Sequence, residues 1–267
     1  MQPLRLCRSV LFLPASNPRA IDKARTLPAD LVILDLEDAV REEDKASARA
    51  AAVEATHLGF GGKLVAIRVN ADVSHHFGDD AIAVRSSAAD FVVLPKAETA
   101  KKAGDAASLS QKPVLAMIET AAGVLAARDI ASHCSALIAG TNDLAADLGV
   151  PQGAGRSGLA LALQSILLAA RASGIAAFDG VYNALDDAEG FAAECREGRA
   201  FGFDGKSLIH PNQIEAANRI FGPSAEEIAA AERLIAAATG GAERHENRMI
   251  EAMHVAQAQA VLAKARR

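Results

Sequence analysis

Eight short, β-prone apolar runs, separated by longer stretches with helical spacing, limit this chain to very few folds. They fall at residues 9–13, 31–36, 64–70, 91–95, 114–119, 136–140, 176–181 and 205–209. Several, such as LVILDL, LVAIRV and FVVLP, are continuously apolar where a half-exposed strand would alternate. That is the pattern of strands covered on both faces of a parallel sheet. The intervening segments, among them DKASARAAAVEA and GLALALQSILLAARASG, are built from strong helix formers. After Pro223, Ser224 and Glu227 form a capping box, Ile228, Ala231, Leu234 and Ile235 make one apolar face, and Gly240 is read as the stop. Eight strand-plus-helix units in a chain of 267 residues predict a (β/α)₈ TIM barrel with an extra C-terminal helical segment. Residues 1–267 are expected to form one domain, with 240–267 a helical extension available to pack on a neighbouring subunit. An open doubly wound sheet uses the same units and is the competing topology. The glycine string Gly153, Gly155, Gly158 follows a helical stretch, so it lacks the strand-to-helix setting of a dinucleotide cradle.

Composition narrows the partners. With 28 Lys and Arg against 33 Asp and Glu, the net charge is −5, and no positive field favours nucleic acid. No apolar run approaches the ~20 residues that span a bilayer, so no membrane role is expected. The three cysteines, Cys7, Cys134 and Cys195, are scattered and odd in number. They argue against a disulfide framework or a zinc cluster and fit a reducing cytoplasm.

In a barrel of this kind the chemistry lies where the strands end at their carboxyl termini. Polar residues gather there: Asp35, Glu37 and Asp38 after the second run, Arg68 and Asn70 in the third, Lys96 after the fourth, Glu119 after the fifth, and Asn142 and Asp143 after the sixth. Asp179, Lys206 and His210 follow on the last two units. Charges so close to apolar strands need partners or a ligand. Glu119 and Asp143, on adjacent strands and without cysteine or paired histidine nearby, make an oxygen site suited to Mg²⁺ or Mn²⁺. Each residue also has a plainer reading. A carboxylate beyond a strand often caps a helix, and Arg68 could pair with Glu37 or Asp38 and never meet a substrate. Lys96 and Lys206 read as solvated, and His210 before Pro211 reads as a hydrogen-bonded packing residue. His75 and His76 fall in a polar loop with no metal-ligand spacing.

At these positions the chain resembles the HpcH/HpaI aldolase superfamily, and within it the citrate lyase β-subunit-like branch of CoA-thioester lyases. The markers are RSVLFLP (8–14), LDLEDAV (34–40), IRVN (67–70), LPK (94–96), MIET (117–120), GTNDL (140–144) and FDGKSLIHP (203–211). The resemblance implies a TIM barrel holding Mg²⁺ through Glu119 and Asp143, with Arg68 on the carboxylate and oxygen of a 2-oxo acid or its hydroxyacyl counterpart. Glu37 and Asp38 would orient metal-bound waters and Arg68, and Arg19, Lys23 and Lys45 would meet the CoA phosphates. The implied reaction splits citramalyl-, citryl- or malyl-CoA into acetyl-CoA and a 2-oxo acid. An aldolase acting on free 2-oxo acids, or a subunit dependent on an acyl-carrier partner, is the alternative. The branch often carries Met-Ile-Asp in a C-terminal segment, whose carboxylate reaches a neighbouring active site. This chain has Met249-Ile250-Glu251, which makes Glu251 the expected proton donor and a homo-oligomer, by resemblance a trimer, the expected assembly.

Overall fold

In the computed structural model, which describes residues 3–151, 153–238, 243–245 and 248–266, eight parallel strands close on themselves in sequence order. They are β1 (Ser9–Pro14), β2 (Leu31–Asp35), β3 (Leu64–Arg68), β4 (Phe91–Leu94), β5 (Val114–Ile118), β6 (Ala136–Ala139), β7 (Ala176–Asp179) and β8 (Gly205–Leu208). β8 pairs back onto β1 through Ser9 against Lys206, which excludes the open sheet. All eight expected runs are strands. Where an expected run extends past its strand, it does so at the carboxyl end, because there the backbone leaves the ladder to form the rim loops.

Strand parity explains the continuous apolar runs. Leu31, Ile33, Ala66, Val93, Leu115, Met117, Ile138 and Phe178 fill the barrel interior. Their neighbours Val32, Leu34, Ile67, Val92, Ala116 and Leu137 join a separate outer layer beneath the helices. Successive side chains point to opposite faces, so a strand buried on both sides offers few polar positions before it reaches the mouth.

That outer layer is covered by α1 (Pro18–Thr26), α2 (Lys45–Leu58), α3 (Phe77–Ser86), α4 (Ala100–Ser110), α5 (Ala121–Ala131), α6 (Thr141–Asp147), α7 (Ala160–Ala172), α8 (Ala188–Phe201) and α9 (Ile214–Phe221). Side-chain caps at Asn17, Thr99, Thr120 and Asp187 start four of them by accepting a backbone N–H three residues on. The Ser224 capping box opens α10 (Ala225–Ala237) as expected, while Gly240 lies outside the described residues. The glycine string sits in the loop after α6, away from any strand end.

The C-terminal extension is not wholly helical. A short antiparallel pair, β9 (Glu243–His245) with β10 (Arg248–Ile250), precedes α11 (Ala252–Ala265), which packs along α10 of its own chain. Lys264 of α11 donates to the Asp204 carbonyl, just ahead of β8, at the amino-terminal end of the barrel. Burial pushes its ammonium down to about 8 from an ordinary 10.5. Between those values the unfolded chain binds the extra proton, so stability from this group rises with pH. The melting temperature of the wild type relative to Lys264→Met is therefore expected to climb from pH 8 to pH 10. A flat difference would contradict the burial.

Parity also sorts the charged residues within the last two strands. Asp179 and Lys206 point outward, beneath α8, and both are fully buried. Lys206 Nζ donates to Asp179 Oδ2 (3.1 Å), to the Gly180 carbonyl (2.7 Å) and to Glu194 Oε1 (2.7 Å), and Arg156 NH2 donates to Asp179 Oδ1 at 2.6 Å. A Cβ at position 198 would meet Asp179 Oδ2 at 2.4 Å, so Gly198 lets α8 approach this network. Lys206, read as solvated, is thus a structural cation. Lys206→Met leaves a buried carboxylate short of charge and is expected to lower the unfolding free energy by about 3–5 kcal/mol in urea titrations.

Among the described residues no helix is long and apolar enough to cross a membrane, and no disulfide joins the cysteines.

Candidate active site

The interior parity that ends β2, β3 and β5 at the mouth delivers Asp35, Arg68 and Glu119 to one cavity of about 340 Å³, where Asp143 arrives from the first turn of α6. Phe12, Met117 and Ile209 supply apolar wall. Another groove, about 620 Å³ and mainly apolar, lies outside the barrel against α2 and gathers no such set of carboxylates.

Arg68 is the organising cation. Its Nε and NH2 donate to the two oxygens of Asp35 at 2.6 and 2.5 Å, while NH1 lies 3.0 Å from Glu37 Oε2 and 3.5 Å from Asp38. Burial works against its charge, but Asp35, then Glu37 and Asp38, outweigh that and hold the guanidinium above its ordinary pKa. Asp35 also accepts from the Glu37 and Ala39 N–H groups, so one carboxylate fixes both the arginine and the β2–α2 loop. Sequence reasoning offered Arg68 partners at Glu37 and Asp38 and missed Asp35 as the principal one. The available signal was parity, because residues 31, 33 and 35 share the interior face.

Glu119 is almost fully buried, with Oε1 accepting the Lys96 N–H at 2.7 Å. Burial, resisted by that hydrogen bond and reinforced by Glu37 and Asp143, pushes its carboxyl up to about 7. Its other oxygen lies over Gly140, where a Cβ would approach to 2.3 Å. Gly140→Ala is therefore expected to displace the Glu119 carboxylate and remove most activity while the strands stay intact. Activity beside a far-ultraviolet circular dichroism spectrum checks this, and an active Gly140→Ala protein would show that Glu119 need not sit there.

Lys96 is not a solvated lysine. It adopts φ 48°, a left-handed conformation costly for a residue with a side chain. Its ammonium is 3.0 Å from Glu37 Oε1 and 3.8 Å from Asp143 Oδ2. Burial raises the Glu37 pKa, against the lowering by Arg68. Lys45, expected at the CoA phosphates, is buried, and its Nζ is committed to the Leu36 and Glu37 carbonyls at 2.8 and 2.7 Å. It pins the loop from behind and has no free face for a phosphate. Arg19 and Lys23 stand exposed on α1. His210 is exposed as well and caps the turn after β8 by accepting from the Asn212 N–H at 3.2 Å, so it is a cap and not a packing residue. Glu251 is exposed at the start of α11 and does not line the cavity of its own chain.

The donor set fits a hard divalent cation. Asp35, Glu37, Asp38, Glu119 and Asp143 gather around Arg68 and Lys96, five carboxylates against two cations. Thr141 Oγ1 and Ser207 Oγ are buried without hydrogen-bond partners, and both line the cavity. Buried polar atoms are normally paired, so these two read as places for ligand or water oxygens. Sequence reasoning passed over Thr141 and Ser207, since a lone hydroxyl carries no motif.

Comparison with known proteins places the chain. A model described as HpcH/HpaI aldolase/citrate lyase matches residues 8–211, more than half of the chain. The chain belongs to this family. A second model, a carbon–carbon bond lyase of the TIM-barrel fold, matches residues 159–267. Among relatives of this family member, a (3S)-malyl-CoA thioesterase from Cereibacter sphaeroides is 42% identical over 97% of this chain and 94% of its own. A citrate lyase subunit beta-like protein from Deinococcus radiodurans is 37% identical over 97% and 98%. In solved structures, CitE from Mycobacterium tuberculosis in complex with magnesium, acetoacetate and coenzyme A superimposes with a TM-score of 0.82 at 34% identity, covering 99% of this chain and all of that one. The citrate lyase beta subunit from M. tuberculosis complexed with oxaloacetate and magnesium gives 0.75 at 35% identity, over 83% and 100%.

Proposed function

We propose that this lyase-family protein is a Mg²⁺-dependent carbon–carbon lyase that splits a 3-hydroxy-3-carboxyacyl-CoA thioester, of the citramalyl-, citryl- or malyl-CoA type, into acetyl-CoA and a 2-oxo acid. The observation that carries the reading is the convergence of Glu119, Asp143 and Arg68 on one cavity. Glu119 and Asp143 would hold the ion, Mg²⁺ or Mn²⁺. When bound it supplies Lewis acidity to the substrate's carboxylate and hydroxyl oxygens.

The chain's own residues do the rest. Arg68, fixed in position by Asp35, donates to the substrate hydroxyl oxygen as its proton passes to a rim carboxylate; the resulting alkoxide becomes the 2-oxo group as the carbon–carbon bond breaks in a retro-aldol or retro-Claisen sense and its electron pair moves into the thioester enolate. Held before the reaction begins, it stabilises developing charge without reorganising. Glu37 and Asp38 orient Arg68 and waters at the rim, and Lys96 balances Glu37 beside the cavity. Arg19 and Lys23 are offered to the CoA phosphates; Lys45 is withdrawn from that role. The released thioester enolate needs a proton, and Glu251 of a neighbouring subunit in a cytoplasmic homotrimer is the proposed donor. The side chain is one methylene longer than the usual aspartate.

Incubation with malyl-, citramalyl- and citryl-CoA tests the reading through its products. Acetyl-CoA with glyoxylate, pyruvate or oxaloacetate, abolished by EDTA, is the expected result. Free CoA with intact malate would make this chain a thioesterase, the activity named for the Cereibacter relative. Turnover of free 2-oxo acids would make it an aldolase, and activity appearing only with a carrier protein would make it a subunit.

A further inference from the structure

Two rim-side loops meet at a cluster that lies apart from the cavity. We infer that Glu42, His75 and His76 form a second cation site, suited to an imidazole-binding transition ion of the Zn²⁺ or Co²⁺ class, that ties the β2–α2 loop (36–44) to the β3–α3 loop (69–76). One ligand atom from each of the three lies within 4.8 Å of the others. Glu42 Oε1 is 2.8 Å from His76 Nε2 and 3.4 Å from His75 Nε2, and the two imidazoles stand with centroids 4.0 Å apart. The histidines alone have no ligand spacing, and it is the fold that supplies the third donor from a different loop.

The donors decide the metal. Two imidazoles and one carboxylate suit Zn²⁺, Co²⁺ or Ni²⁺, whereas the oxygen-only cavity suits Mg²⁺, so the sites select different ions. Glu42 and His75 are largely exposed, which leaves an entry path and room for water as a further ligand. His76 is mostly buried and held from behind, with Arg49 NH2 3.4 Å from its Nδ1. A guanidinium only donates, so Nδ1 accepts, and the ring proton sits on Nε2 facing Glu42. Metal binding at Nε2 requires that proton to move to Nδ1. Arg49 then gives up its long contact and keeps Asp80, 2.6 Å from its Nε.

Asp80 gives the site its reach. It is fully buried and accepts from Asn70 N at 2.9 Å and Asn70 Nδ2 at 2.6 Å, two residues past Arg68. The other loop carries Glu37 and Asp38. An ion bridging Glu42 to the histidines therefore clamps together the two segments that hold the arginine's surroundings. This inference stands whether the reaction is lysis or hydrolysis.

Calorimetric titration of the full chain with Zn²⁺, in saturating Mg²⁺, tests the site, with Co²⁺ visible absorption as a check on imidazole ligation. One ion per chain is expected, with affinity falling at least about tenfold in His75→Ala, in His76→Gln and in Glu42→Gln, and unchanged in Glu119→Gln. His75 and Glu42 are exposed, so their variants keep the fold. Hydrogen exchange in residues 36–44 and 69–76 should slow on Zn²⁺ addition. No binding by the intact chain up to about 1 mM, undiminished binding in the Glu42→Gln/His75→Ala double variant, or loss in Glu119→Gln overturns the site. Bound Zn²⁺ without slower exchange in both loops overturns the clamp.

Discussion

Glu119→Gln is expected to lower kcat/KM by at least about 1000-fold, a loss of about 4 kcal/mol of transition-state stabilisation. The substitution keeps the side-chain volume, and the amide oxygen can still accept the Lys96 N–H that Glu119 now accepts at 2.7 Å. What disappears is one negative charge in a nearly dry position. The folded protein has no need of that charge, since burial already pushes the carboxyl up to about 7. The melting temperature should therefore hold or rise while calorimetric Mg²⁺ binding is lost. Activity within tenfold of wild type, with Mg²⁺ still bound, would show that the carboxylate is a structural acceptor and that the metal site lies elsewhere.

Arg68→Lys is expected to reduce kcat/KM by roughly 100- to 1000-fold and to destabilise the fold by about 2 kcal/mol. The charge is kept, and the losses come from geometry. Two parallel hydrogen bonds to Asp35 and a third nitrogen beside Glu37 require a planar fork, and an ammonium is a single point charge on a flexible stem. Asp35 would lose one of its two anchors, and through it the Glu37 and Ala39 N–H groups would loosen. Steady-state kinetics with urea titration separates the two effects. A lysine variant with full activity would mean that charge alone suffices at this position and that the fork serves Asp35 only.

Part of the candidate site is legible in the sequence. Glu119 and Asp143 follow adjacent apolar runs, and a parallel barrel must carry both to the same mouth. Parity, applied residue by residue, would have gone further. It puts Asp35 with Ile33 inside and Asp179 opposite Phe178 outside, separating a cavity residue from a structural one. Lys45 and Lys96 resisted any such reading, and parity sets Lys206 beneath the helices without naming its partners. A lysine in sequence is solvated by default, and only the surrounding carbonyls and carboxylates turn these three into buried or half-buried anchors.

The chain's sequence determined the strand count, the two-sided burial of a parallel sheet and the acidic pair, because periodicity and burial pattern are local properties of a strand and its neighbours, whereas closure rests on the pairing of β8 with β1. The tertiary structure decided which charges meet. Lys96 reaches Glu37 across 59 residues and Arg68 reaches Asp35 across 33, and the histidines find Glu42 in another loop. Side-chain pairing energies fall off within a few ångströms, and distances of that size between remote residues exist only once the barrel has closed.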